Sequence, residues 1–266
     1  MTTVTYQFID YDIKDGVGIL MLNRPEKLNS FTTVMLEEIA TALGDAAGDA
    51  NVRAVLLSGN GRAFGAGQDL SERDVKPGDP PPDLGESLDK RYNPIVRQIR
   101  GMDKPVICAV NGVAAGAAAN MALACDLVLA AKSARFIQPF VRLGLVPDAG
   151  GTWSLPRLVG RARSMGMAML GGDLSAQQAE QWGLIWKCID DEALMDEAHA
   201  LAGTLASQPT VGLGLIKKAI NESHGNTLDQ QLDLERDLQR IACQTEDYSE
   251  GVNAFLEKRK PAFRGR

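Results

Sequence analysis

The stretch VICAVNGVAAGAAANMALACDLVLAA, residues 106–131, decides the fold of this chain. Two apolar runs, 106–110 and 127–131, flank an alanine-rich segment, and the dipeptide Asn111-Gly112 marks a turn after the first run. Short apolar runs bounded by turn residues are typical of buried strands. We therefore predict a strand, a turn, a small-residue helix over 116–125 and a second strand. A membrane span is disfavoured, because it would bury Asp126 at a cost of several kcal/mol.

The alternation of strands and helices continues on both sides of this stretch. Upstream, 18–22 and 54–57 are strand candidates, and the segment between them carries an apolar helical face, formed by Met35, Ile39, Leu43 and Ala46. Downstream, Ser175 opens a helix that Gly183 ends, and 184–189 resumes a strand. From Asp191 onward the pattern is helical, with breaks at 209, 224–225 and 246–247.

This pattern predicts an α/β fold with largely buried sheets. We divide the chain into an α/β core over residues 1–195 and a helical C-terminal region over 196–266. A region of about 70 residues buries little surface alone, so we expect it to pack on its own core and on neighbouring subunits.

Composition narrows the classes of function. The chain has 28 Lys and Arg against 34 Asp and Glu, a net charge of −6, which gives no electrostatic footprint for nucleic acid or an anionic membrane. It has four cysteines without a CxxC pair and only two histidines, so we expect no metal site. The N-terminus shows no signal-peptide pattern, and we expect a cytoplasmic protein.

Three stretches carry candidate chemistry. FGAGQD, 64–69, and NGVAAGAAAN, 111–120, hold small residues that leave backbone N–H groups accessible. GLVPDAGGTW, 144–153, has Asp148 as its only ionisable side chain, beside Leu145, Val146 and Trp153, which we expect to desolvate the carboxyl and raise its pKa. Taken alone, the first stretch is also typical of a glycine-rich surface loop and the second of a helix packed tightly on a sheet. Asp148 alone is also typical of an ordinary turn aspartate. Together they supply one carboxyl group and backbone N–H donors. These groups can move a proton next to a carbonyl that becomes an enolate.

These stretches, with NRPEKLN (23–29), ACD (124–126), LPR (155–157), AEQWGL (179–184) and GVNAFLEKRK (251–260), resemble the crotonase (enoyl-CoA hydratase/isomerase) superfamily over nearly the full length. The resemblance implies a crotonase-like spiral of ββα units, a C-terminal helical trimerisation region, and a homotrimer or hexamer. It also implies acyl-CoA thioester substrates, with coenzyme A as part of the substrate and no separate cofactor.

The resemblance also implies roles for individual residues. The backbone N–H groups of Gln68 and Ala117 would form the oxyanion hole that holds the thioester oxygen. The turn Ala66–Leu70, which includes Asp69 and Leu70, would border the CoA adenine. The CoA phosphates would be approached by Arg24, Lys27 and Lys258, the last from a neighbouring subunit.

Departures from the family pattern redirect the predicted reaction. The two catalytic glutamates of hydratases are replaced here by Asn120 and Phe140, which cannot activate water, so hydration is disfavoured. Asp148 occupies the catalytic carboxylate position of certain isomerases. Dehalogenation is disfavoured as well, because both histidines lie in the helical tail and Phe140 stands at the tryptophan position of that branch. Asn120 either hydrogen-bonds the substrate or orients a loop.

Four stretches, 84–89, 91–94, 136–140 and 230–235, are similar to the subgroup that isomerises ring epoxides in phenylacetate catabolism. The expected reaction is the ring opening of 2-(1,2-epoxy-1,2-dihydrophenyl)acetyl-CoA to an oxepin-CoA, with Phe140, Trp153 and Tyr92 against the acyl group. The alternatives are a Δ3,Δ2-enoyl-CoA isomerase or hydratase-like enzyme of fatty-acid oxidation, and a catalytically silent acyl-CoA-binding scaffold. Residues 74–85 form a loop that is either a lid or a plain surface loop.

Overall fold

A computed structural model describes residues 5–72 and 82–266 of the chain. The predicted loop at 74–85 falls largely outside these residues. Its last part is described, and Leu84–Ser87 form a short helix, α2, whose N-terminus is capped by Asp83.

A six-stranded sheet forms the centre of the molecule. Its strands, in the order β1-β2-β3-β5-β7-β10, are Ile9–Lys14, Val17–Leu22, Ala54–Gly59, Val106–Val110, Leu127–Ala131 and Lys187–Ile189. Only the β1–β2 pair is antiparallel among these neighbours. The apolar runs that predicted four of these strands are buried as expected, with every residue of β3 and β5 inside the core.

A second, four-stranded sheet positions the candidate site. Its order is β4-β6-β8-β9, formed by Ala63–Gly65, Val113–Ala115, Arg135–Ile137 and Asp173–Ser175. The first three strands run parallel, and β9 runs antiparallel to β8. Each successive pair, β3 with β4, β5 with β6 and β7 with β8, gives one strand to each sheet before the next helix. This is the expected ββα repeat.

The helices of the core are amphipathic or wholly buried. They are α1 (Thr33–Gly48), α3 (Asn93–Gly101), α4 (Ala117–Ala124), α5 (Gly151–Leu170), α6 (Ala176–Trp182) and α7 (Leu194–Ala206). The predicted apolar face of α1 is buried, and all eight residues of α4 are buried because its side chains are small. A non-helical residue, Gly160, kinks α5.

The C-terminal region consists of α8 (Thr210–Ser223), α9 (Leu228–Ala242) and α10 (Glu246–Glu257). Helix α7 crosses the predicted division at 195 and packs on β3, β5 and β7, so its buried alanines belong to the core. The break predicted at 246–247 exists but lies slightly earlier, at 243–245, between α9 and α10. Thr245 caps α10, and the acidic Glu246 and Asp247 lie in its first turn, where their charges interact favourably with the helix dipole. The predicted strand at 184–189 is shortened to Lys187–Ile189.

Candidate active site

The two donor turns lie at the same edge of the small sheet. Strands β4, β6 and β8 end at Gly65, Ala115 and Ile137, and they are parallel neighbours. The segments that follow parallel strands emerge at a common edge. The structure therefore brings Gln68, Ala117 and Phe140 to one place, although they are up to 72 residues apart in sequence.

Backbone pairing with Phe31 sets the orientation of the first turn. The Phe31 N–H donates to the Gly67 carbonyl at 2.7 Å, and the Asp69 N–H donates to the Phe31 carbonyl at 2.9 Å. Phe31 is thus paired on both sides of Gln68, as a parallel bridge requires. Because successive peptide groups of an extended chain point to opposite sides, the Gln68 N–H points away from Phe31. Sequence reasoning missed this role of Phe31.

The second turn packs directly against the first. Gly116, at φ +57°, precedes α4, and the N–H groups of a helix's first turn have no acceptor within the helix. A methyl group on Gly67 would lie 3.0 Å from the Ala115 carbonyl oxygen and 3.7 Å from the Ala117 nitrogen. Only a glycine allows this approach. Gly67 therefore lets the turn that carries Gln68 pack against the N-terminus of α4, at Ala117.

Phe140 and Tyr92 pack beside these turns. A methyl group on Gly116 would lie 3.7 Å from Cζ of Phe140, which places this ring next to the start of α4. Phe140 is buried and gives the site an apolar side. Tyr92 is also buried, with its hydroxyl donating to the side-chain carbonyl oxygen of Gln68. Tyr92 therefore supports the first turn.

Asp148 is held beside the same helix. It occupies a half-buried turn before α5, and its Oδ1 atom is buried. Its backbone carbonyl accepts from the Gly151 N–H at 2.8 Å and from Nδ2 of Asn120 at 2.9 Å. Asn120 lies three residues after Ala117 on α4. The candidate carboxylate is therefore tied to the helix whose first N–H belongs to Ala117.

The apolar neighbours expected around Asp148 are placed differently. Leu145 and Val146 are exposed, Val146 by 77% of its surface, because they lie on the open loop after the 3-10 helix Pro139–Leu143. The Oδ1 atom of Asp148 is nevertheless buried. The enclosure of the carboxyl by these side chains stays a prediction.

Trp153 points into a different part of the molecule. Its ring lies between two guanidinium groups, 4.5 Å from Arg100 and 4.2 Å from Arg157, and meets His224 edge-on. It lines a cavity of about 390 Å³ together with Lys217 and other residues of α8, and neither Asp148 nor Gln68 lines that cavity. The structure does not bring Trp153 together with the other candidates, because α5 turns its side chain toward the C-terminal helices.

Two residues predicted to contact CoA, Arg24 and Asp69, form an ion pair within the chain. Arg24 is largely buried and donates to Asp69 and to the backbone and hydroxyl oxygens of Ser30. Asp69 is 8% exposed and also accepts from the N–H and hydroxyl of Ser71. These hydrogen bonds from Ser71, followed by the Arg24 guanidinium, hold the pKa of Asp69 well below its usual range. The pair fixes the end of the first turn.

The other predicted CoA contacts lie at the surface. Lys27 and Leu70 are exposed, and the Ala66 N–H donates to the Leu28 carbonyl at 3.0 Å, which places Lys27 beside the first turn. Lys258 is exposed at the end of α10, in the C-terminal region. The structure thus groups Lys27, Ala66 and Leu70, and places Lys258 elsewhere.

The described part of the chain gives two further facts about possible sites. Over residues 5–72 and 82–266, no group of three or more His, Cys, Asp or Glu side chains is arranged to hold a metal ion. Within the same residues, each helix is too short or too polar to cross a membrane.

Comparison with known proteins identifies relatives over nearly the whole chain. Residues 12–266 match the enoyl-CoA hydratase/isomerase family model. The chain is 57% identical to 1,2-epoxyphenylacetyl-CoA isomerase of Escherichia coli (strain K12), over 98% of this chain and 99% of that one. It is 37% identical to 2,3-dehydroadipyl-CoA hydratase of the same organism, over 94% and 96% of the two chains.

A solved structure extends the agreement to the fold. The crystal structure of enoyl-CoA hydratase from Bacillus anthracis is 33% identical to this chain, with a TM-score of 0.90 over 98% of this chain and all of the other. The expected crotonase-like α/β fold is confirmed. The chain belongs to the enoyl-CoA hydratase/isomerase family of enzymes.

Proposed function

We propose that this enzyme isomerises acyl-CoA thioesters and that its substrate is 2-(1,2-epoxy-1,2-dihydrophenyl)acetyl-CoA, which it converts to an oxepin-CoA. The observation that carries the proposal is one carboxylate, Asp148, tied by Asn120 to the helix that starts at Ala117, against which the turn of Gln68 packs. The 57% identity to an isomerase named for this substrate supports the same choice.

The proposed mechanism uses one base and two amides. The Asp148 carboxylate removes a proton from the carbon next to the thioester, and the electron pair moves onto the thioester oxygen. The N–H groups of Gln68 and Ala117 stabilise that negative charge, each by about 2.7–4 kcal/mol in the transition state. The carbon–carbon bond shared by the epoxide and the six-membered ring breaks while both carbon–oxygen bonds are kept, which gives the seven-membered ring. Asp148 returns the proton to the vinylogous ring carbon. The reaction neither gains nor loses an atom, so it calls for no cofactor and no activated water.

The surroundings of the base favour isomerisation over hydration. Phe140 is an apolar side chain beside Ala117 and can neither hold nor activate a water molecule. Asn120 has no basic group at neutral pH, and both ends of its carboxamide are engaged by the protein. Of Asn120, Phe140 and Asp148, only Asp148 has an acid–base side chain. One base suffices for a proton shift between two carbons.

The same equipment would also shift a double bond in a linear 3-enoyl-CoA, and this is the second candidate activity. The relative named 2,3-dehydroadipyl-CoA hydratase, whose acyl group is a linear chain, supports a linear substrate. The aromatic Phe140 beside the donor helix favours a flat, conjugated acyl group.

Coenzyme A would lie along the exposed end of the first turn. Ala66 and Leu70 border that end, and Lys27 is an exposed residue of the segment paired with Ala66, so we assign it to a CoA phosphate. We propose further that the chain forms a trimer or a dimer of trimers through α8–α10, and that Lys258 reaches the CoA phosphates of a neighbouring copy.

A panel of CoA thioesters tests the proposed reaction. The wild-type protein is incubated with the phenylacetyl ring epoxide, 3-hexenoyl-CoA and crotonyl-CoA, and products are followed by mass spectrometry and ultraviolet spectra. We expect a product of unchanged mass and a new conjugated chromophore, formed fastest from the epoxide. A mass gain of one water from crotonyl-CoA as the main reaction would contradict the proposal. Binding without turnover or proton exchange in D₂O would instead identify a silent scaffold.

A further inference from the structure

We propose that Asn120 is a positioning residue: its carboxamide holds the turn that carries Asp148 and does not contact the substrate. The predicted effect of Asn120 on catalysis rests on the proposed function. The structural part of the proposal, that Asn120 fixes the turn, stands on contacts within the chain.

Both ends of the Asn120 carboxamide are used within the protein. Nδ2 donates to the Asp148 backbone carbonyl at 2.9 Å, and Oδ1 accepts from Nε2 of Gln138 at 2.8 Å. Asn120 is 1% exposed and Gln138 is fully buried. One N–H of Nδ2 and one lone pair of Oδ1 are not used by these two bonds, but the side chain is closed off from solvent and so from a ligand. The side chain therefore acts on the chain itself.

Hydrogen-bond chemistry fixes the orientation of this relay. The Asp148 carbonyl can only accept, so the Asn120 atom that faces it must be the donor Nδ2. Oδ1 then faces Gln138, which must present its own donor, Nε2. The path runs from the end of β8, through α4, to the start of α5. An aspartate at position 120 would break the path, because it has no N–H to offer.

The turn that Asn120 holds needs an external support. Ala149, directly after Asp148, has φ +46°, a left-handed conformation that residues with a Cβ rarely adopt, and Gly150 follows at φ +81°. Such conformations persist where surrounding contacts impose them. The hydrogen bond from Asn120 to the carbonyl between Asp148 and Ala149 is such a contact.

The packing of Gly151 gives independent support. A methyl group at this position would overlap the Asn120 carboxamide and lie 2.7 Å from its Cγ. The first residue of α5 is therefore in contact with the face of the amide. Asn120 is enclosed between the helix start that follows Asp148 and the Gln138 side chain that precedes Phe140.

The test combines kinetics with hydrogen exchange in the full-length protein. Asn120→Asp keeps the size of the side chain and removes the donor. We expect kcat to fall about 10²-fold, the effect of a misplaced reacting group, with KM unchanged. Amide exchange over residues 146–151 should become about five- to tenfold faster, the factor that matches one lost hydrogen bond.

Two further variants complete the test. Gln138→Glu leaves Asn120 in place but gives its Oδ1 no donor. It should also lower kcat and speed exchange at 146–151, and it replaces Asn120→Asp in the test if that variant fails to fold. Asn221→Asp is the matched control. Asn221, on α8, also donates to a backbone carbonyl, that of Arg100, and accepts from the Arg100 side chain. This variant should leave kcat and exchange at 146–151 unchanged.

The outcomes separate the proposal from the proposed function. A raised KM with normal kcat, or lost activity with unchanged exchange at 146–151, would show that Asn120 contacts the substrate and would overturn the proposal. Faster exchange in Asn120→Asp, in a protein whose wild type fails to isomerise any thioester, would retain the structural role while rejecting the function.

Discussion

Gly67 shows how one missing side chain permits the oxyanion geometry. Its φ of +85° lies in the left-handed region, and a Cβ atom would crowd the Ala115 carbonyl at 3.0 Å. Gly67→Ala is expected to lower the free energy of unfolding by more than about 1 kcal/mol, because the conformation and the contact are both unfavourable. It should also lower kcat by about 10²-fold through the displaced Gln68 N–H. Urea unfolding and steady-state kinetics measure the two effects.

Gly48→Ala is the matched control for this prediction. Gly48 ends α1, and a Cβ there would meet no atom within 4 Å. Alanine at position 48 should leave both kcat and stability close to wild type. Equal kinetics for the two variants would show that the approach of the turn to α4 has no part in catalysis.

Asp69 gives a prediction about pH at the scale of one residue. Its pKa is lowered in the folded chain by the Ser71 hydrogen bonds and by Arg24, so the unfolded chain binds its proton more tightly. The resulting stabilisation is complete above the unfolded pKa of about 4 and is lost as pH falls through the lower folded value. Asp69→Asn should therefore reduce the free energy of unfolding at pH 7, and by less at pH 3.

The control for Asp69 is Asp173→Asn, at an exposed position that opens β9. It should change stability little at either pH. A stability loss for Asp69→Asn that is the same at pH 3 and pH 7 would contradict the assigned role of the carboxylate charge.

At the scale of elements, an ion pair with a buried ammonium group fastens α8 to the core. The Lys217 ammonium lies 2.8 Å from Asp126, is 8% exposed, and also donates to the backbone carbonyls of Ile99 and Lys104. Burial raises the pKa of Asp126, and the Lys217 charge opposes that rise. Lys217→Met should lower the free energy of unfolding by about 1–3 kcal/mol, because it removes the ion pair and leaves these two carbonyls without that donor.

Lys218→Met serves as the comparison, since its exposed side chain follows directly on the same helix. Chemical denaturation of both variants measures the difference. If the two variants have equal stability, the Lys217–Asp126 pair does not anchor α8.

The strands of the core could be predicted from sequence because each apolar run forms a buried strand that pairs with another buried strand. The run 106–110, the small-residue helix and the run 127–131 are strand β5, helix α4 and strand β7. The C-terminal ends of elements were less predictable. The break predicted at 246–247 lies at 243–245, because Thr245 caps α10 and the acidic Glu246 and Asp247 occupy its first turn.

The candidate site was predictable in its parts and not in its contacts. Asp148, Gln68 and Ala117 stand on turns whose glycines and alanines are visible in the sequence. The Arg24–Asp69 pair joins residues 45 positions apart, and the Asn120–Asp148 bond joins residues 28 apart. Periodicity carries no information on such partners, and the resemblance assigns Arg24 to a CoA phosphate where the structure pairs it with Asp69. The side of α5 that carries Trp153 was equally undetermined.

On the scale of the whole molecule, the C-terminal helices present an apolar surface. Its most exposed large side chains include Ile216, Ile220, Leu228, Leu232, Phe255 and Leu256. A single chain rarely exposes such an area without covering it by association. Phe255, 82% exposed, should contribute to subunit contacts without supporting the monomer. Phe255→Asp should therefore shift the sedimenting species from a trimer or hexamer toward monomer while the circular dichroism spectrum stays unchanged.

Ile13→Asp, at an exposed position on β1, is the control for this substitution. It should leave the sedimenting species unchanged. A wild-type protein that sediments as a monomer at every concentration would contradict the expected assembly.

Proton transfer by the Asp148 carboxylate is tested most directly by comparing wild type with Asp148→Asn. We expect a kcat lower by at least about 10²-fold, unchanged binding of the CoA thioester, and loss of deuterium incorporation into the acyl group in D₂O. Near-normal turnover and normal deuterium incorporation in Asp148→Asn would show that another group transfers the proton.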